Sequence, residues 1–335
     1  MVRPRVSILM PFRNTAEFLP ECLASIRAQT ATDWELLAVD DGSADASRDI
    51  VCREAQKDSR IRILSNPGSG IIPALREAYR VSRGAYITRM DSDDMMPPER
   101  LEHMSARLFD AGTGHIAIGA VRYFSHRGIS DGYARYEAWL NRLTRLGDNF
   151  REIYKECAIP SPCWMVFRED LDRCGAFGPD RYPEDYDLAF RFYQNRMVCL
   201  PEERILLHWR DYDSRTSRTS EHYAQNYFLD IKAHYFLRID RDPERELVIW
   251  GAGYKGKFLA RYLRDAGIPF RWICDNPAKI GKRIYGLLLE PFPNLDRMNR
   301  PQSLITVANR ESQAAISAWL SARGYRQGSD SFFFC

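Results

Sequence analysis

Three groups of residues in this sequence have the types and spacing for chemistry. Asp91-Ser-Asp-Asp94 sets carboxylates two residues apart, so that Asp91 and Asp93 can turn toward one cation. Mg²⁺ and Mn²⁺ take hard oxygen ligands and keep open positions for substrate phosphates, which suits that spacing. An acidic surface turn would carry the same residues, and Asp-x-Asp alone does not separate the two readings. Tyr182-Pro-Glu-Asp-Tyr-Asp-Leu188 is a second carboxylate cluster at an expected helix start, where the helix dipole by itself favours acidic side chains. Gly251-Ala-Gly-Tyr-Lys-Gly256 lies between an apolar run and a helical pattern and has the glycine spacing of a dinucleotide fingerprint. There Gly251, Gly253 and Gly256 would offer a tight turn and helix N-terminal amides to a phosphate, with Asp275 meeting a ribose hydroxyl.

The first two groups need elements that bring them together. Val6–Met10, Trp34–Val39, Ile61–Leu64 and Ala85–Thr88 read as strands, separated by helical patterns such as Phe18–Ile26 and Ile72–Val81. Such alternation predicts β-α-β units in a mostly parallel sheet, whose ligands sit at the carboxyl ends of the strands. Pro11, Arg13 and Asn14 follow the first strand, Asp41 the second, Asn66 and Gly70 the third, and Asp91 to Asp94 the fourth. All fall on one sheet edge. Strands are further expected at His115–Val121 and Trp164–Phe167, a helix near Pro183, and a long aromatic-rich helix over 219–239. Asp240-Arg-Asp-Pro-Glu-Arg-Glu246 is polar and reads as a linker, after which a β-α-β pattern restarts. The expected fold class is therefore α/β with two domains: 1–240, with the large sheet, and 241–335, small and Rossmann-like.

Composition narrows the class. The 335 residues are 45% hydrophobic and 28% charged, enough for a large core without disorder. A net charge of +3 gives no reason to expect a nucleic-acid partner. No apolar run approaches the ~18 residues of a membrane helix, and the first residues are not expected to form a signal peptide. The eight cysteines show no Cys-x-x-Cys or metal spacing, as in buried thiols of a reducing compartment. A cytoplasmic protein is expected, with peripheral contact to the cytoplasmic membrane face left open and oligomeric state undetermined.

Four segments, in order, carry a resemblance: Ser7-Ile-Leu-Met-Pro-Phe-Arg-Asn14, Val39-Asp-Asp-Gly-Ser43, Asp91-Ser-Asp-Asp94 and Glu184-Asp-Tyr-Asp-Leu188. Together they resemble the family 2 inverting glycosyltransferases of the GT-A fold, over residues 5–220. Arg135-Tyr-Glu-Ala-Trp-Leu-Asn-Arg142 and the appended C-terminal domain are similar to the β-1,3-N-acetylglucosaminyltransferase-like proteins. The resemblance implies that Pro11 and Asp41 line the base pocket of a nucleotide-sugar donor, UDP-linked in those relatives. It implies that Asp91 lies near the ribose and metal, and that Asp93 binds the Mn²⁺ or Mg²⁺ bridging the diphosphate. Asp185 would be the catalytic base, with Glu184 beside it holding the acceptor, a glycan or glycolipid. Arg210, Arg215 and Arg218 fall where the family places a loop over the diphosphate, although a solvated basic loop explains them equally well. Many relatives have a histidine two residues after that first arginine. This chain has Tyr212, and its histidines are left unassigned.

The residue types suit glycosyl transfer. Negative charge grows on the leaving diphosphate, where a divalent cation acts as a Lewis acid. The attacking hydroxyl loses a proton to a carboxylate on the opposite face, and an ordinary aspartate pKa of ~4 would leave Asp185 ionised at neutral pH. Tyr136, Trp139 and Asn141 lie on an amphipathic stretch whose aromatics suit core packing and would also suit an acceptor sugar face. Two other classes remain open on the sequence: an NAD(P)- or nucleotide-binding protein acting through Gly251–Gly256, and a scaffold that keeps the fold without catalysis.

Overall fold

Strands covered on both faces read as unbroken apolar runs, and the chain opens with such strands. The structure, a computed structural model, describes residues 4–215, 218 and 228–335. Two compact units result: Met1–Asn149 with Ala158–Arg215, and Phe150–Cys157 with Thr216–Cys335.

In the first unit, strand β1 (Val6–Phe12) pairs in parallel with β2 (Trp34–Asp40) on one side and β4 (Tyr86–Arg89) on the other. Strand β3 (Ile61–Ser65) adds to β2. Helices α1 (Leu19–Arg27), α2 (Ser47–Lys57) and α3 (Ile71–Val81) make the crossovers. Helix α4 (Arg100–Ala111) follows β4 and leads to β5 (His115–Ile118). The antiparallel strand β7 (Trp164–Phe167) joins β4 to β5, and β8 (Val198–Leu200) closes the edge, giving the order β3-β2-β1-β4-β7-β5-β8. The core runs from Val6 and Ile8 through Leu36 to Met165. The carboxyl ends of β1, β2 and β4 point to one edge of the sheet, with Phe12 opposite Asp40 and Arg89 opposite Leu9.

A strand expected over His115–Val121 is divided in two. After Gly119 the chain leaves the sheet as β6 (Ala120–Phe124), which pairs with β9 (Ile205–Arg210) in a separate two-stranded ribbon. A Cβ on Gly119 would lie 2.4 Å from that of Leu206, so only glycine lets the two strands approach this closely. Helix α5 (Asp131–Leu146) covers the ribbon: Asn141 accepts from and donates to Val121, and Glu137 accepts from the Tyr123 amide. A short helix α6 (Arg168–Arg173) follows β7, and α7 (Glu184–Gln194) starts at the second acidic cluster.

The second unit places helix α8 (Leu229–Ile239) beside a six-stranded sheet. Its strands are β10 (Leu247–Trp250), β11 (Arg271–Cys274), the short hairpin β12 (Arg283–Ile284) and β13 (Leu287–Pro291), β14 (Gln302–Ile305) and β15 (Ser331–Phe333). All pairs but the hairpin are parallel, in the order β12-β13-β11-β10-β14-β15. Helices α9 (Tyr254–Asp265) and α10 (Arg310–Ser321) flank it. The division differs from 1–240 and 241–335, and aromatic packing is the reason. Phe236 of α8 meets Phe332 at 5.1 Å, and Tyr154 stacks on Phe334 at 5.3 Å, which draws α8 and residues 150–157 into the second unit. Residues 219–227 of the expected long helix lie outside the described residues. Among the described residues, no helix is long and apolar enough to cross a membrane.

Candidate active site

Two loops at the carboxyl edge of the sheet build one end of the site. Asp41, just past β2, accepts from Asn66 Nδ2 at 2.6 Å and from the Gly70 amide at 2.9 Å, with Arg13 Nη1 at 3.7 Å. Three residues named from the sequence, Asn66, Gly70 and Arg13, therefore meet at the carboxylate of a fourth, Asp41. Gly70 has φ +90°, a conformation that favours glycine, and its carbonyl also accepts from Asn66. Asn14 serves the loops instead: its Oδ1 accepts from the Ala44 amide, tying the loop after β1 to the loop after β2. Pro11 sits in β1 opposite Val39 and is partly exposed.

Asp91, Asp93 and Asp94 follow β4. Asp94 is fully buried; its Oδ1 accepts from the Arg210 amide at 2.8 Å, while its Oδ2 has no hydrogen-bond partner among the described residues. Asp93 Oδ2 accepts from the Tyr212 hydroxyl at 2.8 Å, and the Tyr212 ring packs on Phe18 at 4.5 Å. Burial, then the Asp91 charge, pushes the Asp93 carboxyl above the usual range. Burial, then Asp93, pushes Asp94 up further, and the Arg215 guanidinium opposes both rises. Two buried carboxylates whose charges repel, Asp93 and Asp94, are the environment a divalent cation would relieve. Among the described residues, no three His, Cys, Asp or Glu groups stand close enough to hold a metal by themselves. The cluster thus fits a magnesium-like ion that takes one or two carboxylates and completes its shell with substrate oxygens.

Arg210 and Arg215 both pack on aromatic rings. Arg210 ends β9 and is buried; its Nε donates to the Asp93 carbonyl at 2.7 Å, its Nη2 pairs with Glu21, and its guanidinium lies 4.5 Å over Phe124. Its Nε thus holds the Asp93 loop and its Nη2 reaches Glu21 of α1. Arg215 stacks over Trp209 at 5.1 Å and faces the aspartates. Tyr136 and Trp139 are half-buried against the core, 5.6 Å apart, with Tyr136 6.3 Å from Trp209.

Residues Glu184 and Asp185 open α7. Glu184 is buried and accepts from Arg89 Nη1 at 2.8 Å, while Arg89 Nε donates to Asp91 Oδ1 at 2.9 Å. One guanidinium therefore joins the aspartate loop to the second acidic cluster. Burial disfavours the Arg89 charge, but Asp91, Glu184 and Asp185 outweigh it and hold the cation firmly protonated. Asp185 is half-buried, and its Oδ1 accepts from the Tyr186 amide at 2.7 Å. Burial, with the Glu184 charge beside it, pushes its carboxyl up to about 7 against the pull of Arg89. The expectation of an ordinary aspartate pKa is corrected by this desolvation. Sequence reasoning also missed Arg89, and it noted Tyr212 without giving it a role. An arginine ending a strand looks solvated, and only the α7 partner reveals its place.

In the second unit Gly251 follows β10, Gly253 caps the N-terminus of α9 and Gly256 lies in the first turn of α9. A Cβ on Gly256 would fall 2.0 Å from the Gly251 carbonyl oxygen, so the turn needs glycine for its own closure. Gly253 faces open space, and Asp275 is exposed after β11. Lys279 Nζ donates to the Ala252 carbonyl at 3.0 Å.

With this geometry in place, the sequence profile described as Glycosyl transferase family 2 matches residues 7–175, half of the chain. The chain belongs to glycosyl transferase family 2. Among curated members, it is 37% identical over 99 residues to a chondroitin synthase of Escherichia coli, covering 30% of this chain and 14% of that one. It is 36% identical over 98 residues to glycosyltransferase GlyG of Streptococcus pneumoniae, covering 29% and 33%. These alignments span a third or less of the curated relatives' own lengths. Among solved structures, the family fold recurs in S. aureus TarS 1-349 in complex with UDP-GlcNAc. The TM-score there is 0.55 at 18% identity, over 77% of this chain and 71% of that one. It recurs also in the mannosyltransferase PcManGT from Pyrobaculum calidifontis in complex with GDP-Man and Mn2+, with TM-score 0.51 at 19% identity over 71% and 64%. The mostly parallel sheet of the first unit is thus the GT-A fold of this family.

Proposed function

We propose that this family 2 glycosyltransferase moves a hexose, GlcNAc among the candidates, from a UDP-linked donor to a hydroxyl of a glycan or glycolipid, inverting the anomeric centre in a single displacement. The observation that carries this reading is the ion-pair chain Asp91–Arg89–Glu184, which brings the phosphate-side carboxylates and the base-side carboxylates into one site. The S. aureus neighbour was solved with UDP-GlcNAc and the Pyrobaculum neighbour with GDP-Man and Mn2+, which supports a nucleotide-sugar donor and a divalent ion here.

In this reading Pro11 and the Asp41 carboxylate, oriented by Asn66, Gly70 and Arg13, receive the base of the donor. Asp93, with Asp91 or the free oxygen of Asp94, would hold Mn²⁺ or Mg²⁺. The ion supplies charge neutralisation at the departing diphosphate. Tyr212 and Arg210 fix the Asp93 loop, and Arg215 tempers its negative charge. Asp185 takes the proton of the acceptor hydroxyl as that oxygen attacks the anomeric carbon, and the glycosidic bond to the diphosphate breaks on the far face. Partial burial raises the basicity of Asp185 and keeps the proton acceptor matched to neutral pH.

The direct test is a panel of nucleotide sugars incubated with Mn²⁺, with released nucleoside diphosphate as the readout. Release from a UDP-sugar that disappears with EDTA and in Asp93→Ala supports the reading. Release from none of the panel sinks it.

A further inference from the structure

We propose that Arg89 is a positioning residue that sets the spacing between the donor side and the base side of the site. The proposal rests on the glycosyltransferase reading above and extends it to a residue outside the aspartate motif. Two edges of one guanidinium are used: Nε for Asp91, two residues along the chain, and Nη1 for Glu184, 95 residues away. These are the two ends that must close on one substrate. The Arg89 side chain is 6% exposed and that of Glu184 10%, so water screens little of the interaction.

The backbone beneath it is held equally firmly. Arg89 ends the central strand β4 opposite Leu9 of β1, and the Met90 amide donates to the Leu9 carbonyl at 3.0 Å. Arg100, buried in α4, donates to the Arg89 carbonyl at 3.1 Å and to Thr88 Oγ1 at 3.2 Å. The guanidinium is therefore aimed from a fixed platform, as the positioning of a catalytic pair requires. A planar fork can serve two carboxylates at once, whereas a lysine ammonium is a point charge on a flexible stem. Buried ion pairs give little net stability over apolar packing, so placement is the role the geometry favours.

The test compares wild type, Arg89→Met, Arg89→Lys, Glu184→Gln and the Arg89→Met/Glu184→Gln double variant. Diphosphate release gives kcat, titration with UDP and Mn²⁺ gives product-site affinity, and urea unfolding gives the midpoint. In Arg89→Met, kcat falls by about 10²-fold, the order expected when a catalytic pair is displaced by 1 Å, while UDP–Mn²⁺ affinity holds. Arg89→Lys lies between, and Glu184→Gln adds no further loss in the Arg89→Met background. A folded Arg89→Met with wild-type kcat overturns the proposal, as does a kcat loss matched by lost UDP–Mn²⁺ affinity. Additive losses in the double variant overturn it too. If wild type releases diphosphate from no nucleotide sugar, the parent reading fails, and the urea midpoints then decide the brace alone. Non-additive midpoint shifts keep it, and additive shifts remove it.

Discussion

Asp185 must be ionised to accept a proton, and its surroundings oppose that. With its carboxyl pushed to about 7 by burial and Glu184, it is half-ionised at neutral pH. Turnover is therefore expected to rise with pH through about 7 and to fall as acid protonates the base, measured as kcat against pH under saturating donor. Stability runs the other way. Unfolded, the group titrates near its ordinary 3.8, so between pH 4 and 7 the unfolded chain releases a proton that the folded chain retains. A raised carboxyl pKa thus makes the fold progressively less stable as pH climbs through that window. Asp185→Asn removes the penalty: its melting temperature should exceed that of wild type at pH 8 and match it at pH 4, by calorimetry at both pH values. The same variant is expected to lose turnover by roughly 10²–10⁴-fold. The role of Asp185 was implied by the sequence, but its shifted titration could not be read there. The acidic letters of Glu184-Asp185 were visible, but the burial that moves the pKa comes from tertiary packing, as does the pairing of Arg89 with a residue on α7.

At the scale of elements, legibility followed the period of the hydrophobic pattern. Strands β1, β2, β10 and β11 are mainly apolar runs, and helices α1, α3 and α7 show a clear apolar face, so their places were visible. The break at Gly119 was not. An apolar run gives no sign that the chain changes sheets when no turn residue but a single glycine marks the crossing. Nor was the β6–β9 ribbon visible, since it joins segments 85 residues apart at Ala120 and Ile205. Yet this ribbon positions Arg210, whose amide holds Asp94. Gly119→Ala should therefore lower the melting temperature, by the equivalent of about 1–3 kcal/mol of overpacking, because its Cβ must displace Leu206. The measurement is thermal unfolding followed by circular dichroism, and an unchanged midpoint would show that β9 can give way.

At the scale of the whole molecule, the chain is two units, and the chemistry inferred here belongs to the first. The aromatic packing of Tyr154, Phe236, Phe332 and Phe334 set the boundary where a polar linker had suggested a later one. The glycine fingerprint of the second unit serves its own tight turn. The sharpest test concerns the first unit: whether Asp93 and Asp185 serve one reaction. It measures Mn²⁺-dependent diphosphate release and UDP–Mn²⁺ binding in wild type, Asp93→Ala and Asp185→Asn. One shared site predicts that both variants lose release, while only Asp93→Ala loses binding. Release that persists in a folded Asp185→Asn at the wild-type rate would contradict it.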